Sequence, residues 1–201
     1  LVRFWIDHRG IHEGRMSFSE YAQDHCCLVD QPEAVGHSVR GTLLYTGLAA
    51  LAAEDNEPKY SLASRRLWED VVERKMFITG GVGPIKEYEG FGYGYYLPNN
   101  GYIETCAGVG LAFWASQMNQ SFGGGEYMDV YERVIYNNVL AGVSLAGNRY
   151  SYENPLLNQG SMHRWEWHDC PCCPPMLLKL FAEMPGLIYA NDGSDIFVNL
   201  Y

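Results

Sequence analysis

The sequence predicts a mainly α fold: helix pairs joined by alternating loops, as in part of an α/α toroid, with a β domain opening at the C-terminal end. Apolar residues recur at helical spacing in successive segments, the loops between them are long and rich in Gly and Tyr, and strand-like alternation is scarce before the last residues. Residues 1–190 read as a partial helical-barrel domain and residues 191–201 as the start of a β-sandwich. Residues 1–33 are mixed and polar, and carry His8, His12, His25 and the pair Cys26-Cys27, which has no assigned role. Pro32 reads as the first position of a helix from Glu33 to about Ala53, with Ala34, Val35, Val39, Leu43, Leu44, Leu48 and Leu51 on its apolar side. After the loop Asp55-Asn56-Glu57-Pro58, a second helix spans about Tyr60 to Met76, with Leu62, Leu67, Val71 and Val72 inward.

Residues 79–101 are too broken by Gly and Pro for a helix, and their five aromatic residues from Tyr88 to Tyr96 argue against disorder. The stretch lacks the Gly-Lys-Ser/Thr of a phosphate loop. A third helix covers about Tyr102 to Gln120, Gly123-Gly124-Gly125 breaks the chain, and a fourth runs from Glu126 to about Leu140. Residues 147–154 read as a short strand closed by Asn154-Pro155, and residues 156–170 as a polar loop holding Trp165 and Trp167. A fifth helix runs from about Pro174 to Tyr189, followed by a turn at Asn191-Asp192-Gly193 and a strand.

The chain has 201 residues and a formal net charge of −10, which argues against nucleic acid or an anionic membrane as partner. No apolar run is long enough for a membrane span. Tyr, Phe and Trp number 15, 8 and 5, a supply of rings that suits carbohydrate clefts. The sequence begins without Met and stops inside a strand-like run, so it reads as a piece of a longer protein. The compartment stays open between cytoplasm and periplasm.

Three of the six cysteines fall within His168-Asp169-Cys170-Pro171-Cys172-Cys173-Pro174-Pro175. Adjacent cysteines rarely bridge each other, and two prolines stiffen the turn, so a thiophilic metal suits these thiols better than a disulfide framework. Glu104-Thr105-Cys106 complements the cluster. Residues two apart lie about 200° apart around a regular helix, but at a helix start that constraint relaxes. Glu104, Cys106, Cys172 and Cys173 then supply four ligands for a tetrahedral zinc ion, with Cys170 or His168 as replacement ligands.

The segments Gly36-His37-Ser38-Val39-Arg40, Phe77-Ile78-Thr79-Gly80-Gly81-Val82-Gly83, Leu97-Pro98-Asn99, Tyr102-Ile103-Glu104-Thr105-Cys106-Ala107, Glu132-Arg133-Val134-Ile135-Tyr136-Asn137, Asn154-Pro155-Leu156 and Cys170-Pro171-Cys172-Cys173-Pro174-Pro175 occur in this order. Together they resemble the β-L-arabinofuranosidases of glycoside hydrolase families 127 and 146, from about Tyr21 to the end. The resemblance implies a six-hairpin α/α barrel followed by β-sandwich domains, and a retaining hydrolase releasing terminal β-L-arabinofuranose from glycans. It implies zinc on Glu104, Cys106, Cys172 and Cys173, with Cys172 as nucleophile. It also implies Glu89 as acid/base, with Glu87 as fallback, and His37 and Tyr152 in the sugar pocket. Trp165, Trp167 and Tyr95 are further aromatic candidates for sugar stacking. A homodimer of the full-length protein is an expectation of the same kind. Two other classes compete: a non-catalytic helical carbohydrate-binding or scaffold domain with a structural zinc site, and a redox or metal-storage module built on the clustered thiols.

Overall fold

A computed structural model describes residues 1–201. Its helices are α1 (Val2–His8), α2 (Ser38–Glu54), α3 (Pro58–Arg74), α4 (Thr105–Phe122), α5 (Gly125–Val134) and α6 (Cys173–Glu183), and a hairpin of β1 (Tyr189–Asn191) and β2 (Ile196–Val198) follows. Two antiparallel helix hairpins, α2–α3 and α4–α5, make the body. α4 lies at its centre and packs against α2, α5 and α6.

The reason α4 is central is legible in its composition. Residues from Thr105 to Ser116 are buried on every side of the helix, as expected for a helix without a solvent face. Two glycines let neighbours approach closely. A Cβ on Gly108 would stand 2.0 Å from Asn138 Oδ1, and one on Gly110 would stand 2.2 Å from Thr42 Oγ1. α3 is amphipathic instead, burying Tyr60, Ala63, Ser64, Leu67, Trp68 and Val71. Leu62, expected inward, is exposed because it sits two residues past Tyr60, on the opposite side of the helix. The core is stitched by edge-on and tilted rings: Trp114 packs on Tyr45 at 5.0 Å and on Trp68 at 5.1 Å, and Trp68 packs on Tyr127 at 5.2 Å.

The first long helix does not begin at Glu33. Gly36 has φ +73°, and a Cβ there would meet the Glu20 carbonyl oxygen at 1.9 Å, so the chain turns sharply before Ser38. Ser38 N and Oγ both donate to the Glu89 carbonyl, at 2.9 and 2.8 Å, so the 84–91 loop satisfies the open end of α2. Residues 102–104 likewise lie outside α4. The expected 147–154 strand is reduced to single bridges, Val143 to Tyr150, Tyr150 to Trp165 and Glu104 to Glu153. α6 ends at Glu183 in a 3₁₀ turn over Met184–Leu187, where Pro185 cannot continue the hydrogen-bond ladder. The fourth helix loosens into a π turn at Ile135–Val139. β1 pairs with β2 in the register Tyr189↔Val198, Ala190↔Phe197 and Asn191↔Ile196.

Lys75 is buried at the back of the site loops. Its ammonium contacts Asp70 at 3.0 Å, Glu33 at 2.7 Å and the Ala34 carbonyl at 2.6 Å. Asp70 also accepts from Ala34 N at 2.8 Å. Removing Asp70 would leave the buried cation with only the partly exposed Glu33 opposite it and the Ala34 N–H without its acceptor; breaking a buried pair costs about 3–5 kcal/mol. Asp70→Ala should therefore shift the urea midpoint strongly downward, while Arg3→Ala, at an exposed ion-pair cluster, should shift it little. Equal shifts for the two variants would refute the buried role of Lys75.

Candidate metal centre and catalytic site

Two helix starts meet here. Glu104 is the residue before α4, with extended backbone at φ −62°, ψ 137°. Its side chain is therefore free of the helical phase and can lie alongside that of Cys106, two residues on. Cys172 precedes α6, and Pro174 and Pro175 occupy that helix's first turn, where a missing N–H costs nothing. Because α6 packs on α4, both thiols of the Cys-Cys pair turn toward Cys106. The carboxylate and the three Sγ atoms lie within 4.8 Å of one another.

The distances test whether a metal fits. Cys106 Sγ is 3.3 Å from Cys172 Sγ and 3.4 Å from Cys173 Sγ, and the latter two are 3.8 Å apart. A tetrahedron with metal–sulfur bonds of about 2.3 Å has edges of about 3.8 Å. The edge from sulfur to a carboxylate oxygen is about 3.5 Å by the same geometry, and Cys172 Sγ lies 3.5 Å from Glu104 Oε1. All six cysteines are free thiols. Glu104 Oε2 is buried without a hydrogen-bond partner. An orphaned buried carboxylate oxygen beside three sulfurs is a donor set that fits a zinc-like cation.

Without a cation, the cluster shares its protons unevenly. Thiols of Cys106 and Cys173, with help from the Tyr152 hydroxyl, donate to Cys172 and hold it far below the usual thiol range. Its hydrogen bonds to the other two sulfurs, together with burial, push Cys106 far up. Burial, then the nearby Cys172 and Glu89, raise Glu104 to about 8. Cys172 is thus the sulfur primed to be anionic. It is also partly exposed, whereas Cys173 and Cys106 are buried.

Glu89 faces this cluster across a single phenol. Tyr152 Oη stands 3.3 Å from Cys172 Sγ and 3.4 Å from Glu89 Oε1. Glu89 Oε1 also accepts from Tyr102 Oη at 2.9 Å, and Oε2 lies 3.0 Å from His37 Nε2. Burial pushes His37 below its usual value despite the carboxylate, so the neutral ring donates its Nε2–H. Glu89 itself has φ +54°, a left-handed backbone that lets its carbonyl cap α2 while its side chain turns to Tyr102, Tyr152 and His37.

The structure therefore brings seven of the residues singled out for chemistry together: Glu104, Cys106, Cys172, Cys173, Glu89, His37 and Tyr152. Glu87 points to solvent, and so do Tyr95 and Trp167. Trp165 is more than one-third exposed, with its backbone paired to Tyr150. Cys170 is exposed outside the four-donor group. His168 also lies outside that group; its ring is 4.4 Å from that of Tyr152, and its Nδ1 accepts from Cys170 N. Tyr102 is the residue sequence reasoning missed. Its place two residues before Glu104 was the available signal, but nothing local says that its hydroxyl reaches Glu89.

In the metal-free protein the Glu104 contribution to stability should be lost as pH rises from about 4.5 to about 8, offset by Cys172, whose depressed thiol contributes more as pH rises over the same interval. Glu104 titrates higher folded than unfolded, so its contribution is complete below the unfolded value and gone above the folded one. Metal affinity should rise over the same interval, because the ligands shed protons to bind. Chelator competition across this range, with melting curves of the stripped protein, checks both; flat affinity would refute the four-ligand site.

Comparisons with known proteins give the family. Residues 1–186 match the family model described as Beta-L-arabinofuranosidase, GH127 catalytic domain. A non-reducing end beta-L-arabinofuranosidase of Bifidobacterium longum subsp. longum is 36% identical over 177 residues, 82% of this chain and 27% of that protein. The structure of a GH127 beta-arabinofuranosidase superposes with a TM-score of 0.94 at 38% identity, over 99% of this chain and 31% of that one. A GH127 beta-L-arabinofuranosidase from Geobacillus stearothermophilus T6 gives 0.91 at 36% identity, over 99% and 36%. The chain thus spans about a third of these relatives' length. It belongs to the GH127 β-L-arabinofuranosidase family, as part of its catalytic domain.

Proposed function

We propose that the full-length protein is a retaining glycoside hydrolase releasing terminal β-L-arabinofuranose from glycans, with Cys172 as nucleophile, Glu89 as acid/base, and zinc on Glu104, Cys106, Cys172 and Cys173. The helices form part of an α/α toroid, and the β1–β2 hairpin opens a β-sandwich. The observation that carries this reading is the Tyr152 hydroxyl within 3.3 Å of the thiol and 3.4 Å of the carboxylate. It sets a nucleophile and an acid across one small pocket, as retaining glycosidases require. The sugar follows from the relatives' own description as β-L-arabinofuranosidases.

Bound zinc would keep its thiol ligands deprotonated at neutral pH. The Cys172 sulfur attacks the anomeric carbon while Glu89 gives its proton to the glycosidic oxygen; the C–O bond breaks as the C–S bond forms. Glu89, now a carboxylate, takes a proton from water, and the resulting hydroxide displaces sulfur from the same carbon. Two inversions return the original configuration. His37 and Tyr102 fix both oxygens of Glu89, and Tyr152 steadies the sulfur as it departs. A purely structural metal site has one observation in its favour, since four protein donors already fill a tetrahedron. Partial exposure of Cys172, with an acid opposite, favours catalysis.

Cys172→Ala and Glu89→Gln in the full-length protein should each abolish turnover of an alkyl β-L-arabinofuranoside. Loss of the acid costs about 10²–10⁴-fold, and an aryl substrate with a good leaving group should spare Glu89→Gln its first step, giving a burst. Wild-type rates in both variants would refute the reading. Tyr152→Phe, losing one hydrogen bond to a charged sulfur, should lower kcat about 10–100-fold. Proton NMR of the first-formed sugar should show retained configuration; inversion would exclude Cys172 as nucleophile.

A further inference from the structure

Ile103 is fully buried and sits at φ +48°, a left-handed backbone that a β-branched residue rarely adopts. Such a conformation persists only where surrounding contacts overdetermine it. One side of the constraint is visible. Ile103 N donates to the Gly83 carbonyl at 2.9 Å, and its side chain fills the space a Cβ on Gly81 would need, 2.2 Å from Cγ2. The other side is Asn154. Its backbone N contacts the carbonyls of Tyr102 at 3.2 Å and Ile103 at 3.1 Å. Its carboxamide nitrogen donates to the Ile103 carbonyl at 3.1 Å and to Thr105 Oγ1 at 2.8 Å. Both N–H bonds of that amide are therefore spent on the residues flanking Glu104. Thr105 is tied back to the same segment, its N to the Tyr152 carbonyl at 2.9 Å and its Oγ1 to the Ser151 carbonyl at 2.6 Å. Pro155, next in sequence, biases Asn154 toward the extended backbone that this lacing uses.

We infer that Asn154 is a positioning residue for the metal carboxylate: its side-chain amide holds Ile103 left-handed and thereby aims Glu104 at the three sulfurs. No other side-chain amide donates to these residues, so the carboxamide is specifically needed. Asp has the same shape but offers acceptors where both partners require a donor. The inference rests on the metal reading above. Tyr102, one residue before Ile103, carries the hydroxyl on Glu89, so the same turn also sets the acid/base.

The test uses the full-length protein with wild type, Asn154→Ala and Asn154→Asp, and zinc as the probe. Chelator competition should show zinc affinity falling about 10–100-fold in both variants, the range found when groups that orient a ligand are removed. Crystal structures of the variants should show Ile103 relaxed to negative φ, with the Glu104 carboxylate out of reach of the sulfurs. In turnover, kcat should fall more than KM rises. The aspartate variant covers the case in which the alanine variant does not fold. Zinc affinity within twofold of wild type, or Ile103 still at positive φ with Glu104 in place, overturns the inference even if melting temperature falls. A wild type that binds no zinc overturns the metal reading and this inference with it, and is distinguished by that control alone.

Discussion

Four potentially anionic groups drawn into one buried site are the constraint on which everything else depends. Glu104, Cys106, Cys172 and Cys173 repel one another as soon as more than one is ionised. Left to protons, the group settles with one anion: Cys172 is stabilised by its neighbours' S–H bonds while Glu104, Cys106 and Cys173 keep theirs. A divalent cation removes that conflict and lets all four ionise. The fold must therefore hold the donors in place against their mutual repulsion. It does so by fixing two helix starts rather than relying on flexible loops.

The helices serve that end in a recognisable division. α4 is buried on all sides, so its position is set by packing against α2, α5 and α6 together. Once α4 is fixed, Cys106 is fixed. The loop carrying Glu89 is attached differently, through its own backbone: its carbonyl receives the first N–H of α2 and the Ser38 hydroxyl. Glu89 and the four-donor group thus hang from the starts of three helices, α2, α4 and α6, of which α4 packs on the other two. Residues 150–154 tie the two sets together, because Tyr152 touches both Glu89 and Cys172, while the backbone on either side of it laces the turn before α4.

Some of this is legible in sequence and some is not, for physical reasons. Clustered thiols before two prolines can hardly serve a disulfide framework, so a donor group that could hold a metal is readable from Cys172, Cys173, Cys106 and Glu104. Helix existence follows from apolar periodicity, as in α3, where Tyr60, Ala63, Leu67 and Val71 repeat along one face. Helix starts are less readable. Pro32 looks like a first-turn proline, but the chain turns at Gly36 because the Glu20 carbonyl leaves no room for a side chain, a contact between residues far apart in any local window. The left-handed Ile103 contradicts its own propensity, which favours extended backbone, so no local rule finds it. Glu89 is identifiable only through the family resemblance; composition does not separate it from Glu87.

The two adjacent cysteines differ although sequence makes them look alike. Cys173 is the first residue of α6 and lies wholly inside the core, where no incoming group has a path to its sulfur. Cys172 lies one residue earlier and is partly exposed, with the Tyr152 hydroxyl on its sulfur and Glu89 on the far side of that hydroxyl. Attack on a carbon requires a lone pair with an open approach, and of the three clustered sulfurs only Cys172 has one. The prolines at 174 and 175 sharpen the difference. By starting the helix immediately after Cys173, they bury that residue with the first turn and leave its predecessor at the edge. One position along the chain is enough to separate a buried sulfur from one that solvent can reach.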